Sequence, residues 1–261
     1  ICYPDPYKSI VRSYIELRYK LLPYDYTLAW ENATRGWPLA RAIDFYDPHD
    51  DTFHNMNDQY YWGRDMLIAP MLDQGAASRH VTFPEGTWVH YFTGNHYAGN
   101  RKYYIPAPLE TMPVFVRAGS MIPHTPTVSS TDNYHGDSLS LWYYPHEDHP
   151  HYAGTIYNDD GLTPANTHNG NAEIIELSAD YDPQMTEIRV TPGGSFSGMP
   201  SSRNMEFRIK KIAAAPTQIT INDLPVTEVS SVQEYTQRDT AAWYDVANRE
   251  LRIHIIRIVN H

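Results

Sequence analysis

Pro84-Glu85-Gly86-Thr87-Trp88, then Tyr91-Phe92-Thr93-Gly94, then Pro108-Leu109-Glu110-Thr111-Met112-Pro113-Val114-Phe115-Val116-Arg117-Ala118-Gly119-Ser120-Met121-Ile122-Pro123: these runs carry the reading of the fold. They alternate apolar and polar residues between glycine and proline punctuation, the pattern of short strands joined by tight turns. From Thr87 to Thr93, Trp88, His90 and Phe92 point opposite to Val89 and Tyr91, and Gly94-Asn95 predicts a two-residue hairpin turn. Upstream, Met66-Leu67-Ile68-Ala69 runs into Pro70 and Arg79-His80-Val81-Thr82-Phe83 into Pro84. Strands at such spacing predict a β-sandwich.

A second series follows a polar stretch at 124–138 that reads as a linker. Leu139 to Tyr144, Gly154 to Tyr157, Glu173 to Ala179, Glu187 to Val190, Met205 to Ile212, Thr217 to Ile221 and Leu251 to Ile258 predict a second sandwich. Upstream of both, Tyr7, Ile10, Tyr14, Leu17, Leu21, Tyr24 and Leu28 recur at spacings of three and four, one stripe of a helix over 6–34. Pro23 should kink or split that helix, and Arg35-Gly36 supplies a cationic last turn and a C-cap. One helix and the short segment Leu39 to Tyr46 make a domain remnant rather than a domain.

Composition narrows the function classes. The chain has 261 residues, 41% hydrophobic and 13% aromatic, with 20 prolines and 21 tyrosines against seven phenylalanines, which favours turn-rich β-structure. A formal charge of -11 argues against nucleic acid or an anionic membrane as partner, and no apolar run is long enough to span a bilayer. The one cysteine, Cys2, excludes an internal disulfide. The absence of an initiator methionine predicts a fragment of a longer chain, so the compartment is not readable.

Several motifs in order resemble glycoside hydrolase family 31, the α-glucosidase and α-xylosidase family. Leu17-Arg18-Tyr19-Lys20-Leu21-Leu22-Pro23-Tyr24-Asp25-Tyr26 is similar to a helix late in that family's catalytic barrel. Gly36-Trp37-Pro38-Leu39-Ala40-Arg41 resembles the approach to the last barrel strand, and Asp58-Gln59-Tyr60, Gly63 and Leu67-Ile68-Ala69-Pro70 resemble the passage out of it. The opening runs resemble the proximal β-domain, and Tyr157-Asn158-Asp159-Asp160-Gly161 the start of the distal one; beyond about residue 180 the match fades.

The resemblance implies a mainly β chain of two β-sandwich domains after a helical remnant of a (β/α)8 barrel: 1–62 remnant, 63–128 proximal, 129–261 distal. It implies the C-terminal portion of a retaining exo-α-glucosidase acting on terminal α-linked glucose, with an α-xylosidase parent as the rival. The partners implied are the catalytic barrel of the same polypeptide and, through it, an oligosaccharide; no cofactor is implied. The family's nucleophile motif W-x-D-M begins at none of Trp30, Trp37, Trp62, Trp88, Trp142 or Trp243. A barrel needs ~200 residues or more, so no catalytic residue is expected in this chain.

Other candidates are weighed on their own chemistry. Retaining hydrolysis needs two carboxyls about 5 Å apart across a sugar, which adjacent pairs such as Asp50-Asp51 or Asp159-Asp160 do not supply on a strand. Asp159-Asp160-Gly161 reads as a turn, with a calcium site as the alternative. His146, Glu147, Asp148, His149 and His151, between Pro145 and Pro150, have metal-ligand character but read as a solvated loop. Asp44, Asp47, Asp50, Asp51 and Asp58, with His49 and His54, read as turn and cap residues that could border the intact enzyme's pocket. Trp88, Tyr91 and Phe92, and Trp142, Tyr143 and Tyr144, read as sandwich core. The rival reading, a carbohydrate-binding module, needs an exposed platform and looks to Trp142. Gly193-Gly194 is a turn rather than a phosphate loop.

Overall fold

The computed structural model describes residues 3–46, 48, 49, 51–164 and 166–259, so Cys2, Asp47 and Asp50 lie outside the described residues. The chain is mainly β, with several sheets and few helices. The predicted helix divides at Leu21 into α1 (Tyr7–Lys20) and α2 (Leu22–Arg35). Pro23 sits in the first turn of α2, where its missing N–H breaks no intrahelical bond. Gly36 closes α2 in the left-handed region (φ 72), its N–H donating to Asn32 O at 2.9 Å. Leu21, Tyr24 and Leu28 of the stripe are buried, whereas α1 has no buried residue and Tyr7 is half exposed.

The first sheet has six strands in the order Ala40–Arg41, Tyr60–Trp62, Met66–Ile68, Val114–Arg117, Thr87–His90 and His96–Ala98. Alternation holds, but both faces are covered. Met66, Ile68, Val89, Val114 and Val116 pack toward Leu21, Tyr24 and Leu28 of the helices. Leu67, Trp88, Phe115 and Tyr61 pack the other way, onto Val81, Phe83 and Ile105 of a two-stranded ribbon formed by Ser78–Phe83 and Arg101–Pro106. The hairpin after Thr87–His90 differs from expectation: residues 91–95 form the loop, not Gly94-Asn95 alone. His90 Nδ1 accepts from the Phe92 and Thr93 amides and Gly94 (φ 70) donates to His90 O, which closes a wider turn and frees Tyr91 and Phe92 to leave the sheet.

A second six-stranded sheet runs Glu228–Val229, Thr240–Asp245, Glu250–Val259, Ser202–Ile209, Ser138–Tyr143 and Met121–His124. Its strand Met121–His124 precedes the expected 128/129 boundary, and it hydrogen-bonds to Ser138–Tyr143. Ser138–Tyr143 and Ser202–Ile209 are parallel, and the chain between them builds a three-stranded sheet from His151–Asn158, Glu173–Asp182 and Met185–Gly194. Leu139, Leu141, Tyr143, Ile209, Leu251 and Ile253 meet Ile156, Ile175, Leu177 and Ala179 across the shared core. At one edge of that core Arg203 and Glu173, 3% and 0% exposed, form a bidentate ion pair at 3.0 and 2.7 Å.

Between Ile221 and Glu250 the sequence reading has no element, yet the chain there forms the edge strand Glu228–Val229, the helix Val232–Gln237 and the strand Thr240–Asp245. Thr240–Asp245 carries Ala241-Ala242, which lack the branched side chains that mark strands; Ala241 packs with Val229 and Tyr235 on one face, and Ala242 joins the shared core on the other. The helix Val232–Gln237 does carry a sequence sign: Ser231 Oγ accepts from the Glu234 amide at 3.2 Å, while the Glu234 carboxylate accepts from the Ser230 amide at 3.3 Å, a near-reciprocal cap. Among the described residues no helix is long and apolar enough to cross a membrane.

Candidate functional site

The acidic stretch after α2 does not converge. Asp58 pairs with Arg79 at 2.6 Å, Asp51 with His54 at 3.2 Å on the surface, and Asp44 lies in the short turn Ile43–Phe45. The histidine loop also disperses. His146 faces Asp148 at 3.5 Å, His151 pairs with Asp180 at 2.7 Å, and Glu147 is exposed. His149 turns inward, where burial first and then Arg117 hold its pKa down. Among the described residues no three His, Cys, Asp or Glu side chains gather as a metal cage.

Asp159 and Asp160 have different jobs. Asp160 accepts from the Leu162 and Thr163 amides, both at 2.9 Å, and these bonds lower its pKa. Asp159 accepts from the Gly161 amide at 2.8 Å but also from Tyr157 Oη at 2.8 Å and from Tyr26 Oη of α2. The Tyr157 ring lies flat on Trp30 of α2, with centroids 5.3 Å apart and planes 8° apart. The Tyr157 amide donates to Thr27 Oγ1 at 3.0 Å, and that hydroxyl donates on to Pro23 O at 2.7 Å. The turn motif therefore seats helix α2 against the second half of the chain. Asp159→Ala should lower stability by about 1–3 kcal/mol, from two lost phenol bonds and one lost turn bond. Hydrogen exchange in α2 should accelerate ahead of the sheet core; unchanged protection there would show that the seam does not need this carboxylate.

Trp142 is occupied on both sides. On one, Tyr91 and His124 lie edge to edge, joined by Tyr91 Oη donating to His124 Nε2 at 2.9 Å, and both stack on the indole at 5.6 and 4.1 Å. The other side carries Lys210 Nζ at 3.7 Å from the ring centre and the Arg208 guanidinium at 4.9 Å. Lys210 also bonds Glu250, and burial brings its pKa down to about 8. Trp142 is thus no platform for a sugar, contrary to the binding-module reading.

His124 is buried and neutral. Its Nδ1–H donates to Ile122 O at 2.9 Å, leaving Nε2 to accept from Tyr91, and burial depresses its pKa to about 3. An unfolded histidine titrates near ~6.5. Between those values the unfolded chain binds the extra proton, so His124 removes stability as pH falls from 6.5 toward 3. Asp25 and Asp65 act oppositely: burial raises both to about 6, so each adds stability as pH falls from 6 toward 4. His124→Phe, which keeps a ring on Trp142, should flatten the acid limb relative to wild type by up to about 1.4 kcal/mol per pH unit. Urea midpoints at pH 7 and pH 4 measure this; parallel profiles would contradict a neutral buried His124.

In front of the Trp142 stack opens a cavity of about 610 Å3. Ser13, Tyr14, Glu16, Leu17 and Lys20 of α1 form one wall and Tyr91, Phe92 and Glu110 a second. The outer face of the second six-stranded sheet forms the floor with Ser140, Trp142, Glu206, Arg208 and His254. The floor follows from register: Trp142, Arg208, Arg252 and Trp243 form one cross-strand row, with Ser140, Glu206 and His254 in the next. The alternation Met205-Glu206-Phe207-Arg208-Ile209-Lys210 already shows a strand with one polar face, but not which elements it confronts. Phe92, read as core, is 47% exposed at the cavity, while Trp88, Tyr143 and Tyr144 are buried.

Comparison with known proteins gives this architecture a lineage. Residues 36–122 match the family model for the glycosyl hydrolase family 31 C-terminal domain. The chain is similar to alpha-glucosidase 2 of Bacillus thermoamyloliquefaciens, 39% identical over 118 residues, which cover 45% of this chain and 15% of that protein. It is similar to the alpha-xylosidase of Saccharolobus solfataricus, 32% identical over 190 residues, covering 71% of this chain and 25% of that one. Among solved structures it resembles the GH31 dextranase of Flavobacterium johnsoniae at TM-score 0.86 and 25% identity, over 95% of this chain and 31% of that chain. The chain thus spans a quarter or less of the length of these two curated relatives. The motif order, the sheets that carry it and these matches together place the chain in glycoside hydrolase family 31, as part of its C-terminal region.

Proposed function

We propose that this chain is the non-catalytic C-terminal portion of a retaining α-glucosidase-like hydrolase acting on terminal α-linked glucose. In this reading residues 1–62 are the last helices and strand region of the catalytic barrel, 63–128 the proximal sandwich and 129–261 the distal one, with Ala40–Arg41 and Tyr60–Trp62 pairing onto the proximal sheet and Met121–His124 crossing into the distal one. The observation that carries the proposal is the seating of α2: Tyr24 Oη donates to Trp62 O at 2.9 Å, Trp62 Nε1 donates to Asp25 at 2.7 Å, and Trp30 stacks on Tyr157. A helix held from two sheets, continuing into an α1 with no buried residue, suits a support that fixes a barrel edge from outside.

Acidic side chains that could have served chemistry are committed elsewhere: Asp58 to Arg79, Glu173 to Arg203, Glu250 to Lys210. The nucleophile and the acid of double displacement would then come from the barrel, and the chain alone would be inactive. The similarity to an alpha-xylosidase keeps xylose as the rival sugar of the parent. The test is release of p-nitrophenol from p-nitrophenyl α-glucoside and α-xyloside by this chain alone and by the chain joined to its upstream reading frame. Only the joined protein is expected to turn over; release by the chain alone well above buffer would refute the proposal.

A further inference from the structure

We propose that the cavity between α1, the Tyr91–Phe92 loop and the second sheet is a separate, non-catalytic binding site for a short neutral α-glucan segment. Its volume, about 610 Å3, lies within the ~300–1,000 Å3 typical of small-ligand sites and has room for a di- or trisaccharide. Three features select the ligand chemistry. Phe92 is 47% exposed and stands perpendicular to Tyr14 and Tyr91 (82° and 83°), so a large aromatic surface is offered to an apolar sugar face.

Glu206 is held in place by two hydroxyl groups. Its Oε2 accepts from Ser140 Oγ at 2.8 Å and its Oε1 from Tyr235 Oη at 3.2 Å. A carboxylate has about four acceptor positions, so it retains capacity toward the cavity, where 29% of the side chain is exposed. Arg208 also lines the cavity, its Nε turned inward to within 3.4 Å of Glu206 Oε2 and Glu250 Oε1. Walls and floor together carry both signs of charge, Glu16, Glu110 and Glu206 with Lys20 and Arg208. A mixed lining of that kind favours a ligand that both donates and accepts without net charge, which describes a polyol rather than an anion or a cation.

The choice of a glucan rests on the proposed role in an α-glucosidase-like enzyme; the site itself rests on the cavity. Calorimetric titration of this chain with maltotriose and isomaltotriose tests it. Binding in or below the low-millimolar range is expected, with at least a tenfold loss in Phe92→Ala and a several-fold loss in Glu206→Gln. Phe92 is exposed, so its variant should unfold at the wild-type midpoint. No binding of either sugar at about 10 mM, or binding that both variants leave intact, would overturn the site. The parent's activity is read separately from nitrophenol release, so failure here leaves that reading standing, and failure there does not erase measured binding.

Discussion

Arg203→Ala is expected to cost about 3–5 kcal/mol, because it leaves a buried carboxylate without its counter-charge. Glu173 is 0% exposed and Arg203 3%, and Nη1 and Nη2 of the guanidinium reach the carboxylate, at 3.0 and 2.7 Å. Arg203 Nε further donates to Gly136 O, so the loss also strips a backbone carbonyl of its donor. Glu173 opens the strand Glu173–Asp182 and Arg203 lies near the start of Ser202–Ile209, so the pair joins the two sheets that share the core. Urea unfolding measures the effect. A double replacement by two methionines should recover much of the loss, because it removes both charges and their desolvation together. A single-variant loss under about 1 kcal/mol would mean that the pair is hydrated in solution.

Trp88→Ala should be of similar size, about 3–5 kcal/mol, through lost burial and an incompletely collapsed cavity. Trp88 is 0% exposed, stacks on Tyr61 at 5.9 Å, and lies 4.5 Å beneath the Arg117 guanidinium. Its Nε1–H donates to Pro84 O at 3.0 Å, which ties the turn at the start of its strand to the core. Trp88→Phe keeps a ring but not the donor, so a smaller loss of about 1–2 kcal/mol is expected from the unpaired carbonyl and missing volume. Thermal or urea unfolding followed by far-UV circular dichroism resolves the two. An alanine variant within about 1 kcal/mol of wild type would contradict the placement of Trp88 at the centre of the core.

What was legible in the sequence was periodicity. Met66 to Ala69, Thr87 to His90 and Val114 to Val116 carry their strand character in residue type, and the helix stripe with Pro23 and Gly36 carries its own boundaries. What was not legible was partnership. Thr240, Trp243 and Tyr244 suit a strand, but Ala241 and Ala242 interrupt the signal, because Ala241 takes its place among nearby Val229 and Tyr235 and Ala242 in the core shared with Leu139 and Leu141, distant in the chain. The candidate site shows the same limit. Phe92 continues the alternation of Trp88 and His90, yet the loop at 91–95 redirects it into the cavity. Trp142 reads as sandwich core, yet it lies on the outer face of the second sheet, where Tyr91, His124, Lys210 and Arg208 cover its ring. Asp159 reads as turn chemistry, which it performs; its grip on Tyr26 joins positions that only the folded chain makes adjacent.

The position of Glu250–Val259 between Thr240–Asp245 and Ser202–Ile209 bears on how the molecule comes into being. Ser138 pairs with Asn204, and Met205 with Ile255, so neighbours in the sheet are distant in order of synthesis. Pairings of such high contact order form slowly, after a large loss of chain entropy. Until the strand 250–259 emerges, Ser202–Ile209 has an open hydrogen-bonding edge and the floor of the cavity does not exist. A nascent chain must therefore keep that half from aggregating through its unpaired edge while the helices and the first sheet can already assemble.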